Sequence, residues 1–326
     1  MHESFLEILA EPRTRAPLKL DVTKHDGPRI EEGTLTSSAT GKTYPITRGI
    51  PRFVPQTAYT DTFGKQWNMF RTTQLDSVTG NDYSKRRFDS ETRWTKADLD
   101  GKLVLDAGCG AGRFAEVAAG YGARVVALDM SSAVDAARET LTPFPQCELV
   151  QASLLEPPFK RGVFDFAYSI GVLQHTPDPT GGIGSVLDCV APGGRFAFTA
   201  YARRPWSKLN TKYLVRPLTR RLPSDVLLRT IEGVMPFVFP VADRVFRVPG
   251  FGRLAQFVVP VAVYVDEKGF TEEQRYQEAI LDTFDMLSPR YDSPMTWREA
   301  EGALREAGAA KWSYASRVPL VINGTR

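Results

Sequence analysis

The sequence predicts an α/β protein: a seven-stranded, mostly parallel sheet with helices on both faces, a large and mostly helical insertion after the fifth strand, and a small β-rich module in front. Three observations carry this. From Lys102 onward, short apolar runs alternate with helical patterns, as strands buried on both faces do when helices connect them. A glycine-rich turn stands between the first such strand and the first such helix. The alternation stops after Tyr201 and resumes near Thr296.

In chain order, residues 1–57 form the small module, whose end (Thr43 to Phe53) reads as short strands separated by turn residues. Residues 58–100 are a helical lead-in, with Phe63, Trp67, Phe70, Phe88 and Trp94 at loosely helical spacing for packing on the large α/β domain. In segment 101–201, strands are predicted near Leu103 to Asp106, Arg124 to Asp129, Glu148 to Gln151, Phe164 to Ser169 and Arg195 to Tyr201. Helices are predicted near Gly112 to Ala119, Ser131 to Glu139 and Thr180 to Cys189. Residues 202–295 are the insertion. Segment 296–326 supplies a last helix near Thr296 to Ala307 and strands near Lys311 to Ala315 and Pro319 to Ile322.

With 42% hydrophobic and 24% charged residues among 326, the chain is ordinary globular material rather than disordered. The apolar stretch around Met235 to Val241 is broken by Pro236 and Pro240 and is far shorter than the roughly 20 residues of a spanning helix. Residues 1–10 carry Glu3 and Glu7 and lack the pattern of a signal peptide. The three cysteines (Cys109, Cys147, Cys189) have no metal-ligand or paired spacing. A cytoplasmic protein without a metal is expected. The net charge of +3 is too mild to argue for nucleic acid, but it is uneven. Tyr201 to Val265 alone carries +8, leaving the remainder about 5 units negative.

Val104-Leu105-Asp106-Ala107-Gly108-Cys109-Gly110-Ala111-Gly112-Arg113 is a turn whose glycines allow torsions closed to other residues and close approach of a ligand. A dinucleotide fingerprint needs glycine where Arg113 stands. Asp106 would repel a pyrophosphate but suits a ligand bearing an ammonium, such as S-adenosylmethionine. Asp129 ends the second strand, where a carboxylate accepts hydrogen bonds from ribose hydroxyls. Read without a ligand, the two are turn-forming or helix-capping carboxylates. Cys109 reads as a packing residue, with no base beside it.

On these motifs, residues 101–201 resemble the class I S-adenosylmethionine-dependent methyltransferases, in particular the small-molecule type 11 group, and the C-terminal strands resemble them loosely. The resemblance implies a Rossmann-like sheet with Asp106, Ala107, Gly108, Cys109 and Gly110 at the methionine part of the cofactor, Asp129 and Met130 at the ribose and adenine, and Ser153 with Leu154 beside the adenine. Relatives usually carry an acid where Ser153 stands. Ile170 and Gly171, ending strand four, complete the cofactor set.

A methyl group on a sulfonium is already activated, so the protein has chiefly to orient the acceptor and remove its proton. His175 stands just past strand four at the carboxyl edge of the sheet. It is either a general base or a residue that shapes its loop. Ser169-Ile170-Gly171-Val172 lacks the Asn/Asp-Pro-Pro-aromatic pattern of base-amine methyltransferases, which argues against a base-amine acceptor; an oxygen acceptor is expected, with nitrogen and carbon as the alternatives. Tyr201, Arg204 and Tyr291 are the candidate substrate contacts. The first and last read equally as packed aromatics.

Thr34 to Phe53 resembles the zinc-ribbon module that precedes many bacterial methyltransferases, but Asp21, Lys24, Ser37 and Thr40 stand where its cysteines would be. A metal-free relic is expected. The insertion mixes Arg203, Arg204, Lys208, Lys212, Arg216, Arg220 and Arg221 with apolar patches. It reads either as a solvated basic face or as a lid for a small-molecule substrate with an anionic group and an apolar part. Peripheral membrane contact and a homo-oligomer are both compatible with this. The alternatives are an RNA methyltransferase and a non-catalytic cofactor-binding or docking protein.

Overall fold

The computed structural model describes residues 1–54, 64, 71–265, 267 and 269–326. Phe63, Trp67 and Phe70 of the expected lead-in lie outside them. The chain divides into two compact units, one of residues 1–68, 84–202 and 291–326 and the other of 69–83 and 203–290.

The first unit opens with a four-stranded antiparallel sheet of β1 (Leu18–Asp26), β2 (Arg29–Ser37), β3 (Thr43–Thr47) and β4 (Ile50–Pro51), in that spatial order. Gly33, Leu35 and Ser37 of β2 and Tyr44 and Ile46 of β3 are buried at a strand's period of two, and Ile30 is buried beyond a register shift with β1. Of the positions where a zinc ribbon would have cysteines, Asp21 and Lys24 are exposed on β1, while the Ser37 hydroxyl accepts from the Thr40 amide and the Thr40 hydroxyl donates to Glu11 (2.7 Å).

The large sheet contains β5 (Leu103–Ala107), β6 (Arg124–Asp129), β7 (Glu148–Gln151), β8 (Phe164–Ile170), β9 (Val190–Ala200), β10 (Lys311–Arg317) and β11 (Leu320–Thr325). Their order is β10-β11-β9-β8-β5-β6-β7; β11 is antiparallel to β9 and β10, and all other pairs are parallel. This is the expected seven-stranded, mostly parallel, Rossmann-like sheet. β9 begins earlier than expected and ends at Ala200, so Tyr201 lies just beyond it.

Neighbouring residues on the central strands face opposite sides and found two cores. Leu105, Val126, Leu128 and Phe196 pack with the Pro179–Cys189 and Trp297–Glu306 helices and with Phe5, Leu35 and Tyr44 of the small sheet. Val104, Val125, Phe166 and Tyr168 pack with the Arg113–Gly120 and Ala133–Thr140 helices and with Phe88 and Trp94. The Phe88 ring, fully buried, meets Tyr168 edge to face at 5.3 Å. The strand order reverses at β5, which has β6 on one side and β8 on the other. In open α/β sheets, ligands bind in the crevice that such a reversal opens at the carboxyl ends of the strands.

The small module continues onto the outer edge of this sheet. Arg52 pairs with Gln151 of β7 in parallel, and the Phe53 amide donates to the Gln151 carbonyl at 2.8 Å. The Arg52 guanidinium donates to Gln151 Oε1 (2.8 Å) and to both oxygens of Asp135 (2.9 and 3.4 Å). An edge strand that would otherwise offer unpaired backbone groups is thereby covered.

The second unit consists of helices Asp76–Thr79, Thr211–Thr219, Ser224–Phe246, Phe251–Val258 and Glu272–Leu287. Pro236 and Pro240 lie inside the Ser224–Phe246 helix and do not end it. Burial of Met235, Phe239, Ala242 and Phe246, with Phe239 edge-on to Tyr276 at 5.4 Å, outweighs the amide bonds the prolines remove. Arg216 is buried, and its guanidinium donates to the carbonyls of Met286 (2.8 Å) and Pro289 (2.7 Å) at the end of the Glu272–Leu287 helix. That charge serves a helix terminus, where orphan carbonyls attract cations. The boundaries of this unit fall at 203 and 290 rather than at 202 and 295 because Met295 donates to the Tyr201 carbonyl (3.0 Å) and bridges to Ala202 within the first unit.

Replacing Arg52 by alanine strands the partly buried Gln151 Oε1 and leaves Asp135 to Arg48 alone (3.2 Å). The expected loss is about 1 to 3 kcal/mol of stability in urea unfolding; an unchanged midpoint would show that the module is not held through this contact.

Candidate functional site

The residues read from the sequence as cofactor contacts lie at the carboxyl ends of β5, β6, β7 and β8. Backbone at Gly108 and Gly110 adopts positive φ (97° and 52°), and a Cβ on Gly108 would overlap the Val172 side chain. The amides of Gly108 and Cys109 both donate to the Leu128 carbonyl (2.7 and 2.9 Å), tying the loop to β6.

Asp106 is buried at the end of β5. Burial pushes its carboxyl up to about 8 against the Tyr168 hydroxyl, which pulls it down, and the Asp129 charge adds to the rise. Neither Asp106 Oδ2 nor the Tyr168 hydroxyl has a hydrogen-bond partner of good geometry among the described residues. A buried carboxylate oxygen left in this state is the group a ligand ammonium would satisfy. Cys109 is buried too, and burial raises its thiol well above the ordinary range, so it stays protonated and unreactive.

Asp129 Oδ2 accepts from the Gly110 amide (2.9 Å), and Oδ1 accepts from the amide and hydroxyl of Ser131 (2.8 and 2.7 Å). Burial raises this carboxyl, and the Ser131 hydroxyl and the Ser131, Gly110 and Met130 amides oppose the rise. An ionised carboxylate offers about four acceptor sites, so three protein donors leave room for a ligand hydroxyl. Gln151, which Arg52 holds, donates to the Met130 carbonyl at 3.3 Å. Ser153 accepts from the Leu155 amide (3.2 Å), and Leu154 is buried beside it.

On the other side of β5, Ile170 ends β8 and Gly171, at φ 74°, donates to the Thr199 carbonyl (3.2 Å). A short helical turn, Leu173–His175, comes next. The His175 ring stands edge-on to Tyr201, with centroids 5.7 Å apart, and its Nδ1 lies 3.2 Å from the Tyr291 carbonyl oxygen. A carbonyl oxygen only accepts, so Nδ1 carries the hydrogen. The segment after Tyr291 is laced to the same place, Ser293 donating to the Gln174 carbonyl at 2.8 Å. His175, Tyr201 and Tyr291 thus converge. Arg204 belongs to the helical unit, where it is exposed, with its guanidinium over the Trp206 ring at 5.7 Å.

Sequence reading missed residues of the Tyr83–Thr92 helix. Arg87 lies over the Phe114 ring (5.5 Å), within 3.5 Å of the Cβ position at Gly171, and is paired with Glu91 (2.7 Å). Glu91 in turn accepts from the Thr199 hydroxyl at 2.6 Å. Arg113 covers Phe114 at 4.7 Å and donates to Ser84 at 3.2 Å. Two guanidinium groups therefore flank the start of the loop helix. The only trace in the sequence is an Arg and a Glu one helical turn apart at 87 and 91, a pattern common on solvated faces.

Residues 105–198 match the family model described as a methyltransferase domain. Among curated proteins, the ubiquinone biosynthesis O-methyltransferase of Thiobacillus denitrificans is 36% identical over 138 residues, 39% of this chain and 59% of that protein. The same-named protein of Azotobacter vinelandii is 35% identical over 132 residues, 37% of this chain and 56% of its own. The chain thus spans little more than half the length of these relatives. Among solved structures, a Burkholderia thailandensis 1,6-didemethyltoxoflavin-N1-methyltransferase with bound 1,6-didemethyltoxoflavin and S-adenosylhomocysteine is 14% identical, covering 94% of this chain and 99% of that one, with a TM-score of 0.42. An O-methyltransferase family protein of the same organism is 13% identical over 75% of this chain and 56% of that one, with a TM-score of 0.44. The glycine loop, the paired carboxylates of β5 and β6 and the match over residues 105–198 lead to one conclusion: residues 105–198 are a methyltransferase domain, similar to those of the class I S-adenosylmethionine-dependent enzymes.

Proposed function

We propose that the protein transfers a methyl group from S-adenosylmethionine to an oxygen of a small molecule. The observation that carries the reading is the His175 ring, whose Nδ1 donates to the Tyr291 carbonyl at the carboxyl edge of β8. When bound, the cofactor supplies an electrophilic methyl group. Asp106 meets its ammonium, Arg87 and Arg113 provide positive charge for its carboxylate, and Asp129 accepts from its ribose. Ser153 and Leu154 border its adenine. His175 Nε2 takes the acceptor proton while Tyr201 and Tyr291 flank the acceptor. The oxygen acceptor is supported by the names of the ubiquinone O-methyltransferase relatives.

Three outcomes are expected. His175→Gln lowers kcat about a hundredfold or more while S-adenosylhomocysteine affinity, measured by calorimetry, stays within twofold; full turnover on the true acceptor would remove the general base. Asp129→Ala weakens S-adenosylhomocysteine binding by roughly ten- to a hundredfold, the worth of hydrogen bonds to a charged group, and unaltered affinity would overturn the ribose assignment. The third concerns pH. Asp106 titrates at about 8 in the folded protein against 3.8 ordinarily, so the folded state holds the extra proton in that window and loses stability as pH rises through it. Asp106→Asn, which cannot ionise, should melt above the parent at pH 8 by a margin that shrinks toward pH 5; an equal margin at both would mean that Asp106 is not a strained acid.

A further inference from the structure

The helical unit carries apolar side chains on the wrong side. On the Ser224–Phe246 helix, Leu227, Leu228, Ile231, Met235 and Phe246 are buried, yet Val234, Phe237 and Val241, at i, i+3 and i+7, form a second apolar stripe that faces solvent. Phe237 is 78% exposed. The Phe251–Val258 helix repeats the arrangement, burying Gly252 and Ala255 while Phe251, Leu254 and Val258 are exposed. On the Thr211–Thr219 helix, Leu214 and Leu218 are exposed at 72% and 67%. A helix apolar on both faces is normally covered on both, and exposed apolar stripes on three helices of one unit mark an interaction surface.

The charge around these stripes selects the occupant. Arg220, Arg221, Arg229, Arg244 and Arg253 are all exposed in the same segment, which carries the +8 while the rest of the chain is negative. A second copy of the chain would set this positive segment against itself. A nucleic acid would satisfy the arginines but not the leucine, valine and phenylalanine stripes. An anionic bilayer surface satisfies both, taking the apolar stripes at the headgroup boundary and the arginines on its lipid phosphates. No helix among the described residues is long and apolar enough to cross a membrane, so the mode is one of lying on it. We propose that the exposed face of the Thr211–Thr219, Ser224–Phe246 and Phe251–Val258 helices docks the protein on an anionic lipid surface. This goes beyond the methyl-transfer reading and does not depend on it.

The test is cosedimentation of the full chain with vesicles of phosphatidylcholine alone or with about one third phosphatidylglycerol. The expected result is pelleting with the anionic vesicles only, weakened as salt rises from about 0.1 M to about 0.5 M. Phe237→Ser combined with Leu254→Ser, both at exposed positions, should lower the partition coefficient roughly tenfold, and Arg220→Glu combined with Arg221→Glu should do the same, with unchanged melting curves confirming the fold. Absence of pelleting with anionic vesicles, or pelleting that neither pair weakens, overturns the proposal. So does a dimer that the Phe237/Leu254 pair dissociates in place of vesicle binding. No cofactor or acceptor enters the measurement, so it fails or succeeds separately from the methyl-transfer assignment.

Discussion

Two carboxylates end neighbouring parallel strands at the reversal of the sheet, and the loop between them has to be backbone alone. Asp106 and Asp129 can stand there only if the chain after β5 turns tightly enough to bring the Gly110 amide onto Asp129, which requires the positive torsions that glycine adopts without strain. The same economy of space lets Val172 close over Gly108 from the β8 side. Each carboxylate then has a different fate. Asp129 is stabilised by three donors, whereas Asp106 Oδ2 is buried without a hydrogen bond of good geometry among the described residues. The imbalance persists in a fold of this size only because the surrounding sheet and its two cores over-determine the strand ends.

Around that pair, the rest of the first unit acts as support. The Tyr83–Thr92 helix brings Arg87 to Gly171 and Phe114, and its Glu91 reaches Thr199, so one helix braces two strand ends. The small sheet does the equivalent for β7 through Arg52, whose contact with Gln151 is one hydrogen bond removed from the Met130 carbonyl. The segment from Tyr291 to Met295 closes on His175, Gln174 and Tyr201. Arg216, by contrast, directs its charge inside the helical unit onto the carbonyls of Met286 and Pro289.

Legibility in the sequence tracked physical locality. Strands such as Leu103–Ala107 and Phe164–Ile170 are mostly apolar because both faces are buried, and that pattern survives without any partner in view. Asp106, Asp129 and the glycines announce themselves because they break such runs at strand ends. The contributions of Arg87, Arg113 and Arg52 were not visible, since an arginine looks the same in sequence whether it is solvated, caps a strand end or stacks on a ring. The prolines at 236 and 240 interrupt an apolar run yet lie inside one helix: they weaken it locally, and only tertiary burial decides whether it continues. Apolar periodicity also could not tell that the Ser224–Phe246 helix has two apolar faces, one packed and one bare.

The pairing of Arg52 with Gln151 joins positions almost a hundred places apart, and β7 is the last strand on its side of the sheet. Closing that contact requires β5, β6 and β7 to be aligned already, because only then does an edge exist for the module to cover. During folding the edge therefore stands open for as long as the parallel strands take to assemble, which is the slow, non-local part of such topologies. The module therefore covers an edge that would otherwise be open to strand exchange with other chains, and it can do so only beside the completed sheet.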